Sequence, residues 1–183
     1  RHNAFKPISC AADVPRAVYG KRNLQSYSEE IGAPTMTGGT ASGTTGRLDL
    51  GGDVTITPTG TNVAAISANV GLNASRTFTV NNNSLTTDVD LTVSGVISNN
   101  SGTDAITKAG AGTLLLSGAN SYTGGTNVNN GALLLDSNTA AGTAAINLGD
   151  TSGSYSTSLL FNTTSGRSVS NAITVRAGST GTR

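Results

Sequence analysis

The sequence has very few of the side chains that form disulfides, bind transition metals or act as general bases. It contains one cysteine, Cys10, and one histidine, His2. One cysteine cannot form an internal disulfide, and one cysteine with one histidine does not make a metal-ligand cluster. A Ser-His-Asp triad needs histidine as its base, and this histidine lies at the N-terminal end. The sequence therefore argues against a disulfide scaffold, a His/Cys metal centre and a triad hydrolase.

Charged and aromatic side chains are also scarce. Charged residues make up 11% of the 183 residues and aromatic residues 4%, tryptophan is absent, and the net charge is +1. A charge so close to zero favours neither nucleic acid nor an anionic membrane as a partner. No apolar run approaches the length of a membrane-spanning helix. The low charge also argues against charged disorder, and the shortage of Glu, Lys and Gln against a helical protein.

The sequence is rich in turn-forming residues that separate short apolar clusters. Gly, Ser, Thr and Asn supply about half of the chain, and Val, Ile, Leu and Ala recur between them in short runs. Most runs alternate with period two. In the segment 76–81, for example, Phe78 and Val80 share one face, and Thr77 and Thr79 share the other. The pattern predicts many short β-strands and, after residue 34, no helix.

Two Leu-Leu-Leu triplets, at 114–116 and 133–135, are separated by an offset of 19 residues. In each triplet the first and third side chains point to one face of a strand and the middle one to the other. Self-similarity near 20 residues is typical of a solenoid, in which like side chains stack in neighbouring coils. An antiparallel β-sandwich is the alternative, but its core normally needs bulkier residues. The sequence therefore predicts an all-β, parallel β-solenoid.

The first 34 residues differ from the rest of the chain. They hold five of the eleven basic residues and three of the four prolines. We expect residues 1–34 to be a poorly ordered N-terminal segment, with a short helix near residues 17–31 as the alternative. Residues 35–183 are predicted to form the β-solenoid, and a flexible, glycine-rich stretch lies near its start, at residues 37–46.

The stretch ITKAGAGTLLLSGANSYTGGTNVNNGALLL, residues 106–135, closely resembles the passenger-associated transport repeat of bacterial autotransporters, also called the autotransporter-associated β-strand repeat. That repeat reads roughly K-x-G-x-G-T-L-x-L-S-G-x-N-x-Y-x-G-G-T-x-V-x-x-G-x-L. The residues that fit the repeat are Lys108, Gly110, Gly112, Thr113, Leu114, Leu116, Ser117, Gly118, Asn120, Tyr122, Gly124, Gly125, Thr126, Val128, Gly131 and Leu133. The preceding segment, residues 91–98, looks like the usual lead-in.

The resemblance implies a right-handed parallel β-helix segment in a passenger domain of type V secretion. It implies a location at the bacterial cell surface or in the secreted fraction, reached through the outer membrane. The implied partner is the C-terminal translocator barrel of the same parent chain, which these residues do not include. A low cysteine content agrees with this route, because a disulfide loop formed in the oxidising periplasm would obstruct threading through a barrel. From the residues themselves we expect no cofactor, and from the net charge no nucleic-acid partner.

Most marked residues of the repeat are expected to serve the corners of the coils. Positive φ is expected at Gly110, Gly112, Gly124, Gly125 and Gly131. Asparagines at 81–83, 99–100 and 129–130 suit turns, and stacked asparagines can form hydrogen-bonded ladders. Tyr122 is expected to pack over a turn with its hydroxyl at the surface, and Lys108 to be a solvated corner residue. Leu115 and Leu134 depart from the family, where these outward positions are commonly polar, and could mark a covered face or a contact surface.

No catalytic, cofactor-binding or metal-binding residue is predicted, and the chain is not expected to be an enzyme. The closest acidic pair of the solenoid region, Asp88 and Asp90, is expected to be two solvated turn residues rather than a catalytic pair. We expect a structural stalk that aids export and presents other modules. The alternative is a direct adhesin that binds a host or surface ligand through outward Leu115, Leu134 and Tyr122. Ice binding would need regular Thr-x-Thr rows, and those at 55–57 and 77–79 are not continued by a regular series along the chain.

Overall fold

The computed structural model describes residues 17–18, 21–83, 89–162, 166–177 and 182, and all of their regular secondary structure is β-strand. The strands are β1 Ala17–Val18, β2 Lys21–Asn23, β3 Glu29–Ile31, β4 Thr35–Met36, β5 Gly39–Ser42, β6 Arg47–Leu50, β7 Val54–Ile56, β8 Ala64–Ile66, β9 Asn69–Leu72, β10 Arg76–Val80, β11 Leu91–Val93, β12 Ile97–Asn99, β13 Ile106–Ala109, β14 Thr113–Leu116, β15 Thr126–Val128, β16 Gly131–Leu135, β17 Ile146–Leu148, β18 Thr157–Phe161 and β19 Ile173–Val175.

These strands form three parallel sheets. The chain visits the three sheets in turn up to β12, and from β13 it alternates between the first and second sheets. The first sheet has the order β1-β4-β7-β10-β13-β15-β17-β19, the second β18-β16-β14-β11-β8-β5-β2, and the third β12-β9-β6-β3. Strands inside a sheet pair in parallel with their equivalents in the preceding and following coils, and the strands at the ends of a sheet pair on one side. The strand-to-strand distance in such a ladder is about 4.8 Å. The fold is therefore the predicted parallel β-solenoid, and the antiparallel sandwich is excluded.

The core is a set of stacked inward columns. Most strands alternate buried and partly exposed residues, as in the buried–intermediate–buried pattern of β7, β8 and β11. In the second sheet one inward column runs through Ile66, Val93, Leu116 and Leu135, which are successive register partners. All four are at most 1% exposed. Medium-sized aliphatic side chains therefore fill the narrow interior, as the composition predicted.

The offset between the two leucine triplets is the offset between two adjacent coils. Leu114 pairs with Leu133, and Leu116 with Leu135, between β14 and β16. These four side chains are fully buried, whereas the middle leucine of each triplet is only partly covered. The predicted register and the predicted division into inward and outward positions are both confirmed.

Three strands of the solenoid lie in the N-terminal segment of the described chain. β1, β2 and β3 pair with β4, β5 and β6 in the three sheets. The short helix considered near residues 17–31 is therefore wrong for the described part of that range. Residues 1–16 and 19–20 lie outside the described chain, so the predicted extent of the N-terminal segment stays a prediction.

Candidate functional site

The segment 106–135 forms β13, β14, β15 and β16 and so occupies two successive coils. β13 pairs with β15 in the first sheet, and β14 with β16 in the second. The return from β14 to the first sheet, residues 117–125, has no strand. Polar side chains from this return and from the corners enter the interior of the solenoid, and they are the most unusual feature of the segment.

The middle leucines form an outward column on the second sheet. Thr92, Leu115, Leu134 and Leu160 are successive register partners in β11, β14, β16 and β18. Leu115 and Leu134 are partly covered, and Leu160 is 45% exposed. The expected outward direction is confirmed for Leu115 and Leu134. Stacking lets each leucine cover part of the next, which lowers the cost of placing apolar side chains outside.

Tyr122 lies in the interior, so the prediction of a hydroxyl at the surface is wrong. Its side chain is 0% exposed, and its hydroxyl lies 2.6 Å from Oγ1 of Thr126. Thr126 donates its single hydroxyl hydrogen to the carbonyl of Ala141, so the Tyr122 hydroxyl is the donor to Thr126. Burial raises the pKa of the Tyr122 phenol. Tyr122 therefore holds Thr126 within its own coil, Thr126 makes the link to the next coil, and the buried phenol offers nothing to an external ligand.

Asn120 joins three coils through its side-chain amide. Oδ1 accepts a hydrogen bond of 2.7 Å from the backbone N–H of Ile97, and Nδ2 donates one of 2.6 Å to the carbonyl of Ala140. The residue is 2% exposed, so both backbone groups would lack a partner without it. The sequence marked Asn120 only as a match to the repeat. Its bridging role depends on backbone groups supplied by two other coils.

Lys108 is buried, so the prediction of a solvated corner residue is wrong. It is 0% exposed and stands in an inward column between Phe78 and Val128. Its Nζ donates to the carbonyls of its neighbours Ala109 and Gly110, at 2.8 and 2.7 Å, and to the carbonyl of Asn130 in the next coil, at 3.0 Å. Burial lowers the pKa of Lys108 to about 7, although the charge of Asp90 opposes the shift.

Asp90 is also buried, and the prediction of a solvated turn residue is wrong for it. It is 2% exposed, and its two carboxylate oxygens accept hydrogen bonds of 2.8 Å from the backbone N–H groups of Asn83 and Thr113. The carboxylate therefore ties the connection that precedes β11 to the next coil. The other acid of the predicted pair, Asp88, lies outside the described residues.

The five marked glycines serve two different needs. Positive φ is confirmed at three of them, Gly110, Gly125 and Gly131. Gly112 and Gly124 have no positive φ, so that prediction is wrong for them. A Cβ on Gly112 would lie 2.6 Å from Oδ2 of Asp90, and a Cβ on Gly124 would lie 2.5 Å from the backbone nitrogen of Ala105. These two glycines let neighbouring coils approach closely.

Asparagine ladders do form, but in the first sheet the rungs are not at the predicted positions. Asn147 donates to Oδ1 of Asn127 at 2.9 Å, and Asn127 donates to Oγ1 of Thr107 at 3.3 Å. Near the third sheet Asn100, one of the predicted residues, donates to the side-chain oxygens of Asn73 and Asp49. Both sets stiffen the outer surface along the stacking direction.

The two Thr-x-Thr rows at 55–57 and 77–79 do not stack in register, because Thr79 pairs with Thr55 and Phe78 with Val54. One column of single threonines forms instead: Thr35, Thr55 and Thr79 are successive register partners in β4, β7 and β10. Ala109 then follows Thr79 and ends the column. The column does not continue along the sheet as an ice-binding face would need.

The described residues do not offer the ligand sets of common metal sites. No group of three or more His, Cys, Asp or Glu among them is placed to hold a metal ion. The same residues form no helix that is long and apolar enough to cross a membrane. His2 and Cys10 lie outside the described chain. The buried polar groups bind the backbone of neighbouring coils, so the arrangement is suited to joining coils.

Comparison with known families agrees with this geometry. The family model of the passenger-associated-transport-repeat matches residues 106–135, which are the two coils built from β13 to β16. No curated protein and no solved structure matches the chain significantly. The matched segment contains the buried Lys108, Asn120 and Tyr122 together with both leucine triplets. Residues 106–135 are thus similar to the passenger-associated-transport-repeat, and this match supports an autotransporter passenger repeat in the segment.

Proposed function

We propose that this chain is a structural β-helix stalk in the passenger of a bacterial autotransporter. It aids export across the outer membrane and presents other modules at the cell surface or in the secreted fraction. The observation that carries the proposal is the coincidence of the family match with two stacked coils inside a continuous parallel solenoid. The repeat implies a translocator barrel on the parent chain as the partner in export.

The mechanism follows from the one-dimensional stacking of the coils. Each folded coil offers a parallel strand edge and a row of inward aliphatic side chains to the coil beside it. A newly exported coil that docks there buries its own inward column, at roughly 25 cal/mol per Å² of apolar area. Folding outside the membrane would then oppose backward movement of the chain. Asn120 and Lys108 contribute directed contacts that require the neighbouring coil to be in register.

The outward leucine column favours a second candidate, a direct adhesin. Leu115, Leu134 and Leu160 lie in line on the outer face of the second sheet, and exposed apolar patches often mark interaction sites. Tyr122 was part of the predicted contact surface, but it is buried. An adhesin would therefore have to bind an apolar ligand through the leucines alone.

One pair of variants in a complete, barrel-bearing passenger separates the two candidates. In the outward variant Leu115, Leu134 and Leu160 become threonine, and in the inward variant Leu114 and Leu133 become threonine. If the chain is a stalk, the outward variant keeps its attachment to host cells or abiotic surfaces and its surface amount, measured by flow cytometry with an epitope tag. The inward variant should lower the surface amount, because it places hydroxyls in the core.

Two different results of this assay would contradict the proposal, and each identifies which part of it is wrong. Loss of attachment by the outward variant at an unchanged surface amount would identify the leucine column as an adhesive surface. An unchanged surface amount for an inward variant that is clearly unstable in vitro would remove the proposed role of coil folding in export.

A further inference from the structure

The interior of the solenoid holds a small charged cluster at the corner between the first and second sheets. Lys108 follows the middle of β13 and reaches the carbonyls of Ala109, Gly110 and Asn130. Asp90 precedes β11 and holds the N–H groups of Asn83 and Thr113. These buried polar groups therefore connect three corners of the solenoid, which lie before β11, between β13 and β14, and between β15 and β16.

The surroundings of Lys108 are otherwise apolar. Its column neighbours on either side are Phe78 of β10 and Val128 of β15. Within the described chain, Asp90 is the charged group that acts on the Lys108 ammonium. An ammonium has three N–H donors, which match the three carbonyl oxygens, whereas a neutral amine donates only two hydrogen bonds. The carbonyls can therefore accept hydrogen bonds from either protonation state of Lys108. Burial of the charged ammonium, however, costs much more desolvation free energy than burial of the neutral amine.

We propose that Lys108 and Asp90 form a pH-responsive latch between the coils of the transport repeat, and that this junction is more stable against unfolding at alkaline pH than at neutral pH. The sign follows from proton linkage. The Lys108 pKa is near 7 in the folded chain and near its ordinary value of about 10.4 in the unfolded chain. Between these values the unfolded chain binds more protons, so stability rises with pH. The latch concerns the stability of the coil junction and does not depend on the proposed stalk function.

The pH window can be chosen so that other groups do not obscure the effect. The pKa of Tyr122 is raised by burial, so this phenol begins to lower stability only above pH about 10, where the unfolded phenol ionises. Below pH about 7 Lys108 is protonated in both the folded and the unfolded chain, so it does not change the free energy of unfolding with pH. The range from pH about 7.5 to about 9.5 therefore contains the Lys108 slope. The Cys10 thiol and the α-amino group have ordinary pKa values of about 8.5 and about 8 in the same range, so all chains carry Cys10→Ser and the slope assigned to Lys108 is the one that Lys108→Met removes.

The test is the urea-induced unfolding of the full chain, followed by circular dichroism across this range at constant ionic strength. We expect the unfolding equilibrium constant to fall close to tenfold per pH unit, or roughly a hundredfold over the window. Lys108→Met, which has no titrating group, should abolish the dependence whatever its own stability. Lys21→Met, in the coil of β1 to β3, is the matched control and should leave the dependence unchanged.

A direct titration keeps the test decisive if Lys108→Met does not fold. In the wild-type chain the NMR signal of the Lys108 side chain, assigned with selectively labelled lysine, should titrate with a midpoint near 7. A midpoint above about 10 would overturn the proposal, because the lysine would then keep an ordinary pKa. A pH-independent unfolding constant for the wild type, or a dependence that survives in Lys108→Met, would overturn it equally.

Discussion

Adjacent leucines in β14 give the sharpest energetic test of the inward and outward assignment. Leu116 is 0% exposed and lies between Val93 and Leu135 in an inward column. Replacing it with alanine removes a buried isobutyl group and leaves a cavity, which costs about 2–5 kcal/mol. Leu115 lies on the outer face and is only partly covered. Its replacement loses part of the transfer free energy but opens no closed cavity, so we expect a cost of about 1 kcal/mol.

The assay is urea-induced unfolding of the two alanine variants and the wild type, followed by far-ultraviolet circular dichroism because the chain has no tryptophan. The two substitutions are chemically identical and one residue apart, so helix or strand propensity cannot explain a difference between them. A gap of at least about 1 kcal/mol in the free energy of unfolding is expected, with Leu116→Ala the less stable. Equal losses, or a larger loss for Leu115→Ala, would refute the assignment of the two faces.

Two further predictions concern the contacts between coils. Asn120→Leu should lower the free energy of unfolding by about 2–4 kcal/mol in the same assay, because the N–H of Ile97 and the carbonyl of Ala140 lose their side-chain partner; a loss below about 1 kcal/mol would show that water replaces the amide. Gly131→Ala should destabilise the chain more than Gly102→Ala. Both glycines have φ near +70°, at 72° and 74°, but a Cβ would contact the backbone of the preceding coil only at Gly131. Equal melting temperatures for the two variants would contradict this close approach.

The strands and their register could be predicted because they depend on local pattern. Period-two alternation marks inward residues such as Phe78 and Val80, and burial in the structure follows it. The repeated triplets fixed the register of β14 and β16 because identical side chains stack on each other. In β1 to β3 the strands are only two or three residues long. β2 and β3, with the sequences KRN and EEI, carry no alternation of apolar and polar residues, so their pairing with the next coil becomes visible only in the structure.

The buried polar residues could not be predicted for a different reason. Lys108, Asp90 and Tyr122 sit among turn-forming residues, where exposure is the usual outcome. Their partners are backbone groups of other coils, such as the carbonyl of Asn130 and the N–H of Thr113. Local sequence gives no position for those groups. The odd feature that could have drawn attention was Lys108 itself, because it occupies an alternating inward position of β13.

The central claim is that residues 106–135 form two adjacent coils stacked in parallel, and cross-linking tests it most directly. In a Cys10→Ser background, Leu115→Cys and Leu134→Cys place thiols on register partners of the outer face. Neighbouring strands lie about 4.8 Å apart, within the Cα–Cα range of about 4.4–6.8 Å for a disulfide. Stacked coils should form this disulfide rapidly under mild oxidation, and should form little of it for Leu115→Cys paired with Leu135→Cys, whose side chains face opposite sides. Preferential cross-linking of the second pair in a natively folded chain would contradict the account.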